Sequence, residues 1–413
     1  MNRPFTMVSF AGGLNPARTG LGLVGLPMIL RSVAARGHHV VLLLGGGPSP
    51  GSEHCVVPDV ASALARKEGE GTFGIVTVPA WSFWAFSPQI LWRFNSLIRS
   101  ADFVSLHSLY CFPILAGHLL AHVHSKPYGL WPHGVLAPFQ RSVSARKKKI
   151  YDWLFSRRIL DNASVLFYSA KGEHTETEEL HLRPPFVIVP HGFESEAFAS
   201  LPPRGRFRRR FLGGHTGPVI LFLARVNAKK GLDLLAKAMA RVVSRRKDVL
   251  LAIVGPADPR SFESRVRGWI RESGVESQTV LTGVVDAPTR LEALADADVF
   301  VLPSHAENFG FSIFEAMASR LPVVVSETVN YAGDIRNGNA GLTVPLDPER
   351  IADGILQLLD DSSLRNHMGE NGVKLAKSYS WDINGDRVEQ TVASILCNRP
   401  LPAELSLDIA SKS

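Results

Sequence analysis

The sequence predicts an α/β protein made of two Rossmann-like domains, each built on a parallel sheet. Three observations carry this. Short β-rich runs alternate with amphipathic helical patterns along most of the chain. The strand runs are apolar from end to end, as expected of strands covered on both faces. The 413 residues exceed one typical core, so two domains of roughly 200 residues each are expected.

The first series of strands reads FTMVSF (5–10), HVVLLL (39–44), GIVTVP (74–79), FVSLHS (103–108), PYGLWPH (127–133), SVLFYS (164–169) and FVIVPHG (186–192). Amphipathic runs lie between several of them, such as LPMILRSVAARG (26–37). The break falls near LPPRGRFRRRFLGGHTG (201–217), which is rich in Pro, Gly and Arg. A second series follows: PVILFLAR (218–225), VLLAIVG (249–255), TVLTGVV (279–285), VFVLPS (299–304) and PVVVS (322–326). GLDLLAKAMARVVSRR (231–246) is one of the helical patterns separating them. Ligands of open α/β sheets sit beyond the carboxyl ends of the strands. If the two sheets face one another, those ends line a shared interdomain cleft. His133, His191, Arg225 and Glu307 all follow predicted strands.

Composition sets bounds without choosing a function. Apolar residues make up 45% and charged residues 20%, which is ordinary for a globular protein. The net charge of +7 suits an anionic ligand, an acidic membrane surface or nucleic acid. Cys55, Cys111 and Cys397 fit no metal or disulfide spacing, which points to a reducing compartment. The first residues lack a signal-peptide layout, and no run reaches 18 uninterrupted apolar residues, so neither secretion nor a membrane span is expected. No recognition module accompanies the basic charge, so nucleic acid is not an expected partner.

SHAENFGFSIFEAMASRLPVVVS (304–326) holds Glu307 and Glu315 around a Phe-Gly and a predicted helix start. A helix N-terminus is a ready anion site, and Gly310 permits close backbone approach. Amides around Phe309, Gly310, Phe311 and Ser312 form that start. Ionised carboxylates accept strongly from hydroxyl groups, so the pair suits a sugar and a ribose. Spacing alone leaves a plainer alternative: Glu307 as a helix-start acid and Glu315 as a solvated helix residue.

The whole string resembles the Glu-to-Glu motif of glycosyltransferase family 4, retaining enzymes with the GT-B fold. LFLARVNAKKGLDLL (221–235) resembles that family's Arg and Lys-Gly segment. VLTGVV and LADADVFVLPS resemble the segments leading into the Glu motif, and LWPHGVL and FVIVPHGFESEAF its two His/Asn-Gly segments. YSWDINGDRVEQTV (379–392) resembles its closing helix. The resemblance implies an acceptor-binding domain over 1–200 and a nucleotide-sugar domain over 201–378. It implies a helix over 379–397 returning toward the first domain, and the residues after it, 398–413, read as a loose tail.

It also implies roles. Glu307 contacts the donor sugar and helps position the reacting end, and Glu315 binds the ribose. Amides from Phe309 to Ser312 hold the distal phosphate and sugar. Arg225 and Lys230 neutralise a diphosphate that gains charge as the glycosidic bond breaks, in place of a metal. His133 lies near the donor sugar, whereas His107 and His191 are nearer to structural residues. Arg320 departs from the family, which often has Gly there, and this bears on the turn from helix to strand.

Three features compete with this reading. GLGLVG (20–25) satisfies a dinucleotide fingerprint, but about nine residues separate it from the first strand, and the second strand ends without an acidic residue for a ribose. The family reading makes it a Gly-rich loop closing over the diphosphate, with Gly20 and Gly22 as candidates. Asp296-Ala297-Asp298 looks like a metal-binding pair, but Asp298 reads as a turn or strand-start residue, so no metal is expected. RSVSARKKKIYDWLFSRR (141–158) has seven basic residues and one acid, interleaved with Tyr151, Trp153 and Phe155. Such a helix can rest on an anionic membrane surface or be a solvated face.

The expected function is transfer of a hexose-like sugar from a nucleotide-diphosphate sugar to an acceptor hydroxyl, without cofactor or metal. A sugar or lipid-linked oligosaccharide is the expected acceptor, in polysaccharide or glycolipid biosynthesis. The expected location is cytoplasmic, peripheral to the membrane. The rival readings are a sugar phosphorylase or nucleotide-sugar epimerase of the same fold, and a membrane-docked binding protein with a degenerate site. An NAD-dependent oxidoreductase lacks its acidic ribose residue.

Overall fold

The computed structural model describes residues 3–12, 25–46, 56–57, 60–65, 67–68, 71–81, 84–142, 145–307 and 309–407. The chain divides into two compact units. One comprises Met1–Gly192 with Trp381–Asp408, and the other Phe193–Ser380 with Ile409–Ser413.

The N-terminal unit is built on β1 (Thr6–Ala11), β2 (His39–Gly45), β3 (Val56–Val57), β4 (Lys67–Glu68), β5 (Gly71–Val78), β6 (Phe103–His107), β7 (Tyr128–Trp131), β8 (Val165–Tyr168) and β9 (Phe186–Ile188). The sheet order is β3-β5-β2-β1-β6-β7-β8-β9, and β4 adds an antiparallel edge to β5. The other pairings are parallel. Buried side chains fill both faces. Val8, Phe10, Val41 and Leu43 belong to one core, while Met7, Val40, Leu42 and Leu44 belong to the other. This double burial is why the strands read as unbroken apolar runs. Strand β7 stops at Trp131, short of the predicted 133, because Pro132 has no N–H to continue a ladder.

Helix α1 (Leu26–Ala34) covers one face, burying Leu26, Ile29, Leu30 and Val33 at helical spacing. The closing helix Trp381–Leu396 lies against it. Arg36 ties the two together through Glu389 (2.5 Å), Asp386 (2.9 Å) and Asp382 (3.1 Å). A Cβ on Gly192 would stand 2.3 Å from the Trp381 ring, so only glycine lets that indole lie on the backbone. The expected loose tail over 398–413 is not loose in its first part. Leu405 is buried, and the Ser406 hydroxyl donates to the Phe186 carbonyl (2.9 Å). An apolar anchor in a polar stretch is too small a signal to read from sequence.

The C-terminal unit has an all-parallel sheet of β10 (Val219–Leu223), β11 (Leu250–Val254), β12 (Thr279–Gly283), β13 (Val299–Leu302), β14 (Val323–Ser326) and β15 (Gly341–Val344). Its order is β12-β11-β10-β13-β14-β15. Strand order reverses between β10 and β13, and that switch point is where such sheets open a crevice. The loops leaving β10 and β13 carry Arg225, Lys230 and Glu307. Strand β15 was not expected, since four residues led by glycine give no periodic signal. The same sheet explains Asp296 and Asp298. Asp298 accepts from Arg204 (2.8 Å), Arg208 (2.9 Å) and the Val219 amide (2.9 Å). Asp296, fully buried, accepts from the amides of Gly205 and Arg208. Both carboxylates anchor the entry to this unit.

Candidate active site

The loop after β10 is shaped by Asn227 and Gly231. Asn227 caps the turn, its side chain accepting from the Lys229 amide (3.1 Å). Gly231 follows with φ +64° and opens helix α2 (Leu232–Arg245). A Cβ there would lie 2.0 Å from the carbonyl oxygen of Pro303, at the end of β13. Glycine is therefore required twice over, by dihedral angle and by space. The backbone joins the two loops as well, the His305 amide donating to the Lys229 carbonyl (2.7 Å). This close seating brings the Lys230 ammonium onto the Glu307 carboxylate, with side chains 14% and 16% exposed. Arg225 stands on the same loop, exposed, and pairs with Asp258 at 2.9 Å.

Gly310, at φ +74°, is the N-cap of helix α4 (Phe311–Ala318). A Cβ there would meet Ile313 at 2.8 Å and the Glu307 Cγ at 3.0 Å. Glycine thus lets the Glu307 side chain lie across the start of the helix. The Asn330 amide donates to the Glu307 carbonyl (3.1 Å), fixing the backbone beneath it. The ring of Phe309 stacks on Phe314 (centroids 4.2 Å apart) and meets Tyr331 edge-on (5.2 Å). These contacts bury the ring. Ser312 is half-buried in the first turn of α4, whose N–H groups point back along the axis.

Glu315 is not a solvated helix residue. It is buried, and Arg290, from helix α3 (Ala287–Asp296), reaches it at 2.9 Å. Burial raises its carboxyl to about 7 while Arg290 opposes the shift. Sequence spacing pointed to neither Arg290 nor Asp258, because ion-pair partners far along the chain leave no local signal.

His133 lies in the N-terminal unit, just past β7, half-buried and at φ +52°. Its turn is held by Glu173, which accepts from the amides of Gly134 (2.6 Å) and Ser169 (2.8 Å) and from the Ser169 hydroxyl (2.7 Å). His107 and His191 flank it in a row of near-parallel rings, with centroids 5.5 Å and 6.3 Å away. Burial lowers His133 to about 3 and His191 to about 4, and holds His107 well below its usual range. All three are neutral imidazoles near pH 7. Gly20 and Gly22 lie outside the described residues.

The sequence matches two family models: "Glycosyl transferase 4-like domain" over residues 24–192 and "Glycosyl transferases group 1" over 204–375. Over 217 residues it is 31% identical to a phosphatidyl-myo-inositol mannosyltransferase of Mycobacterium tuberculosis, covering 50% of this chain and 54% of that one. The match thus spans about half the length of that relative. A D-inositol 3-phosphate glycosyltransferase of Corynebacterium aurimucosum is 29% identical over 307 residues, covering 71% of this chain and 72% of the other. Among solved structures, Anabaena HepE in complex with UDP and glucose superposes with a TM-score of 0.70 at 16% identity, over 94% of this chain and 100% of that one. The fold is GT-B, with a parallel-sheet Rossmann-like domain in each half.

Proposed function

Because the chain belongs to glycosyltransferase family 4, we propose that it transfers a hexose-like sugar, with retention and without a metal, from a nucleotide-diphosphate sugar to an acceptor hydroxyl. The observation that carries this reading is the ion pair of Lys230 and Glu307 at the switch point of the C-terminal sheet. The pair sets a cation and a hydroxyl acceptor side by side, as a diphosphate and its attached sugar require. Glu315, held by Arg290, takes the ribose, and Arg225 exchanges Asp258 for the diphosphate. To His133 we assign a contact with the donor sugar.

In this mechanism the bond between the anomeric carbon and the diphosphate oxygen breaks as the acceptor oxygen attacks the same face. The acceptor proton passes to a donor phosphate oxygen. Arg225 and Lys230 stabilise the charge that builds on the leaving diphosphate, which lowers the barrier more than it tightens ground-state binding. Glu307 and the amides at the start of α4 hold the sugar.

The acceptor we propose is a sugar or lipid-linked sugar in glycolipid or polysaccharide assembly, reached at a cytoplasmic membrane surface. The named relatives act on inositol-containing acceptors. Among the described residues no helix is long and apolar enough to cross a membrane. Trp153 is 83% and Ile150 63% exposed, beside Lys149, Arg157 and Arg158, which suits a membrane-surface contact.

Calorimetry with UDP, GDP, ADP and NAD tests the donor site. One nucleoside diphosphate should bind in the presence of a chelator and fail to bind Arg225→Ala and Glu315→Ala. Binding of NAD alone overturns the reading. Sedimentation with phosphatidylserine vesicles, with Trp153→Ala beside the wild type, tests the membrane contact; equal sedimentation of both removes it.

A further inference from the structure

Behind His133 lies a buried chain of hydrogen bonds with a single consistent proton assignment. The Trp131 indole N–H can only donate, and it reaches the Ser105 hydroxyl at 3.0 Å. That hydroxyl lies 3.0 Å from His107 Nε2, and His107 Nδ1 lies 3.2 Å from His133 Nε2. Ser105 is 1% exposed and His107 fully buried.

Two proton orders are conceivable. If His107 carried its proton on Nε2, Ser105 would accept from both neighbours. Its own O–H would then have no acceptor among the described residues, at a site closed to bulk solvent. Leaving a buried donor unpaired costs about 1–3 kcal/mol. In the other order Ser105 and both nitrogens of His107 are satisfied. Ser105 donates to His107 Nε2, and His107 donates from Nδ1 to His133 Nε2. A neutral imidazole carries one proton, so that of His133 must be on Nδ1. Burial keeps both rings neutral.

We propose that Trp131, Ser105 and His107 are positioning residues that hold His133 with its proton on Nδ1, so that it presents a hydrogen-bond donor to an oxygen of the nucleotide sugar. Two consequences follow. His133 selects an acceptor atom, a sugar hydroxyl or phosphate oxygen. It cannot serve as the base that takes the acceptor's proton, because its only lone pair at a ring nitrogen is already bonded to His107. Glu173 fixes the turn and this chain fixes the proton. Strands β6 and β7 supply the chain from paired positions, His107 standing opposite Trp131 in the parallel register.

The proposal rests on the glycosyltransferase reading only for what His133 touches; the tautomer is a property of the protein alone. The test is nitrogen NMR of the full chain labelled with 15N-histidine, near neutral pH, with His133 assigned by its loss in His133→Gln. Long-range couplings distinguish a proton on Nδ1 from one on Nε2. The expected wild-type result is Nδ1–H at His133 and at His107. Finding Nε2–H at His133 overturns the proposal whether or not the protein uses a nucleotide sugar.

Two variants probe the cause. His107→Phe keeps a ring but removes the donor, and His133 should relax to a mixture of tautomers. His107→Asn places its amide nitrogen near the lost Nδ1 and should restore the single form. An unchanged His133 tautomer in His107→Phe overturns the role of His107. With UDP-glucose as probe, turnover should fall about tenfold in the Phe variant and return to within about threefold in the Asn variant, the size expected of one oriented hydrogen bond. Failure of UDP-glucose to react at all bears on the donor assignment and leaves the tautomer result standing.

Discussion

Lys230 and Glu307 form an ion pair between loops 77 residues apart, with both side chains at least four-fifths buried. Two charges this secluded are costly to separate, because removing one leaves the other uncompensated. Glu307→Ala should cut turnover at least tenfold while the protein still folds. Glu307→Gln alone should lose about 1–3 kcal/mol of stability in urea denaturation. Glu307→Gln combined with Lys230→Met should recover most of that loss and remain inactive. Near-normal turnover in Glu307→Ala would remove Glu307 from the mechanism.

Gly231 stands where a Cβ would press on the Pro303 carbonyl, so Gly231→Ala should force the two site loops apart. The expected cost is about 2–3 kcal/mol, from the positive φ and the lost space together. Calorimetric affinity for the nucleoside diphosphate should fall with it. An unchanged affinity would show that the Pro303 contact does not hold the site.

Arg320 ends helix α4 at φ +59°, in the left-handed conformation that favours glycine. Its carbonyl lies so near Gly369 that a Cβ there would stand 2.3 Å away, so the turn cannot relax. Arg320→Gly should therefore stabilise the C-terminal unit by roughly 1 kcal/mol. Differential scanning calorimetry should show the transition of that unit rise by about 2–4 °C. A lower transition would mean the arginine side chain contributes more than its backbone costs.

The two units should respond to pH in opposite senses. His133 and His191 are depressed by burial to about 3 and about 4, against an ordinary 6.5. Between those values the unfolded chain binds more protons, so their contribution is complete above about pH 6.5 and lost as pH falls toward 4. Glu315 is raised by burial to about 7 from 4.5, so its contribution is complete below 4.5 and lost as pH rises through 7. Calorimetric scans across this range should show the N-terminal transition falling in acid. The fall of the C-terminal transition between about pH 4.5 and 7 should vanish in Glu315→Gln. A C-terminal transition that does not move between pH 5 and 7 would place the Glu315 titration elsewhere.

What the sequence determines by itself is the framework. FTMVSF, HVVLLL, PVILFLAR and VFVLPS declare buried parallel strands, because a strand covered on both faces must be apolar at every position. The string from Ser304 to Ser326 declares the family, since its residues sit in one continuous segment. The tertiary structure decides everything that depends on residues far apart in the chain. It sets Lys230 on Glu307, Arg290 on Glu315 and Asp258 on Arg225, and it places Asp296 and Asp298 under Arg208. It ranks His107 and His191 beside His133, where the sequence placed the three histidines at the ends of separate strands with nothing to join them. The reason is physical: local pattern reports which face of an element is covered, whereas a hydrogen bond or ion pair depends on which loops the sheet order brings together. At β10 and β13 the strand order reverses, and that reversal, invisible in composition or period, puts the cation and the carboxylate in contact.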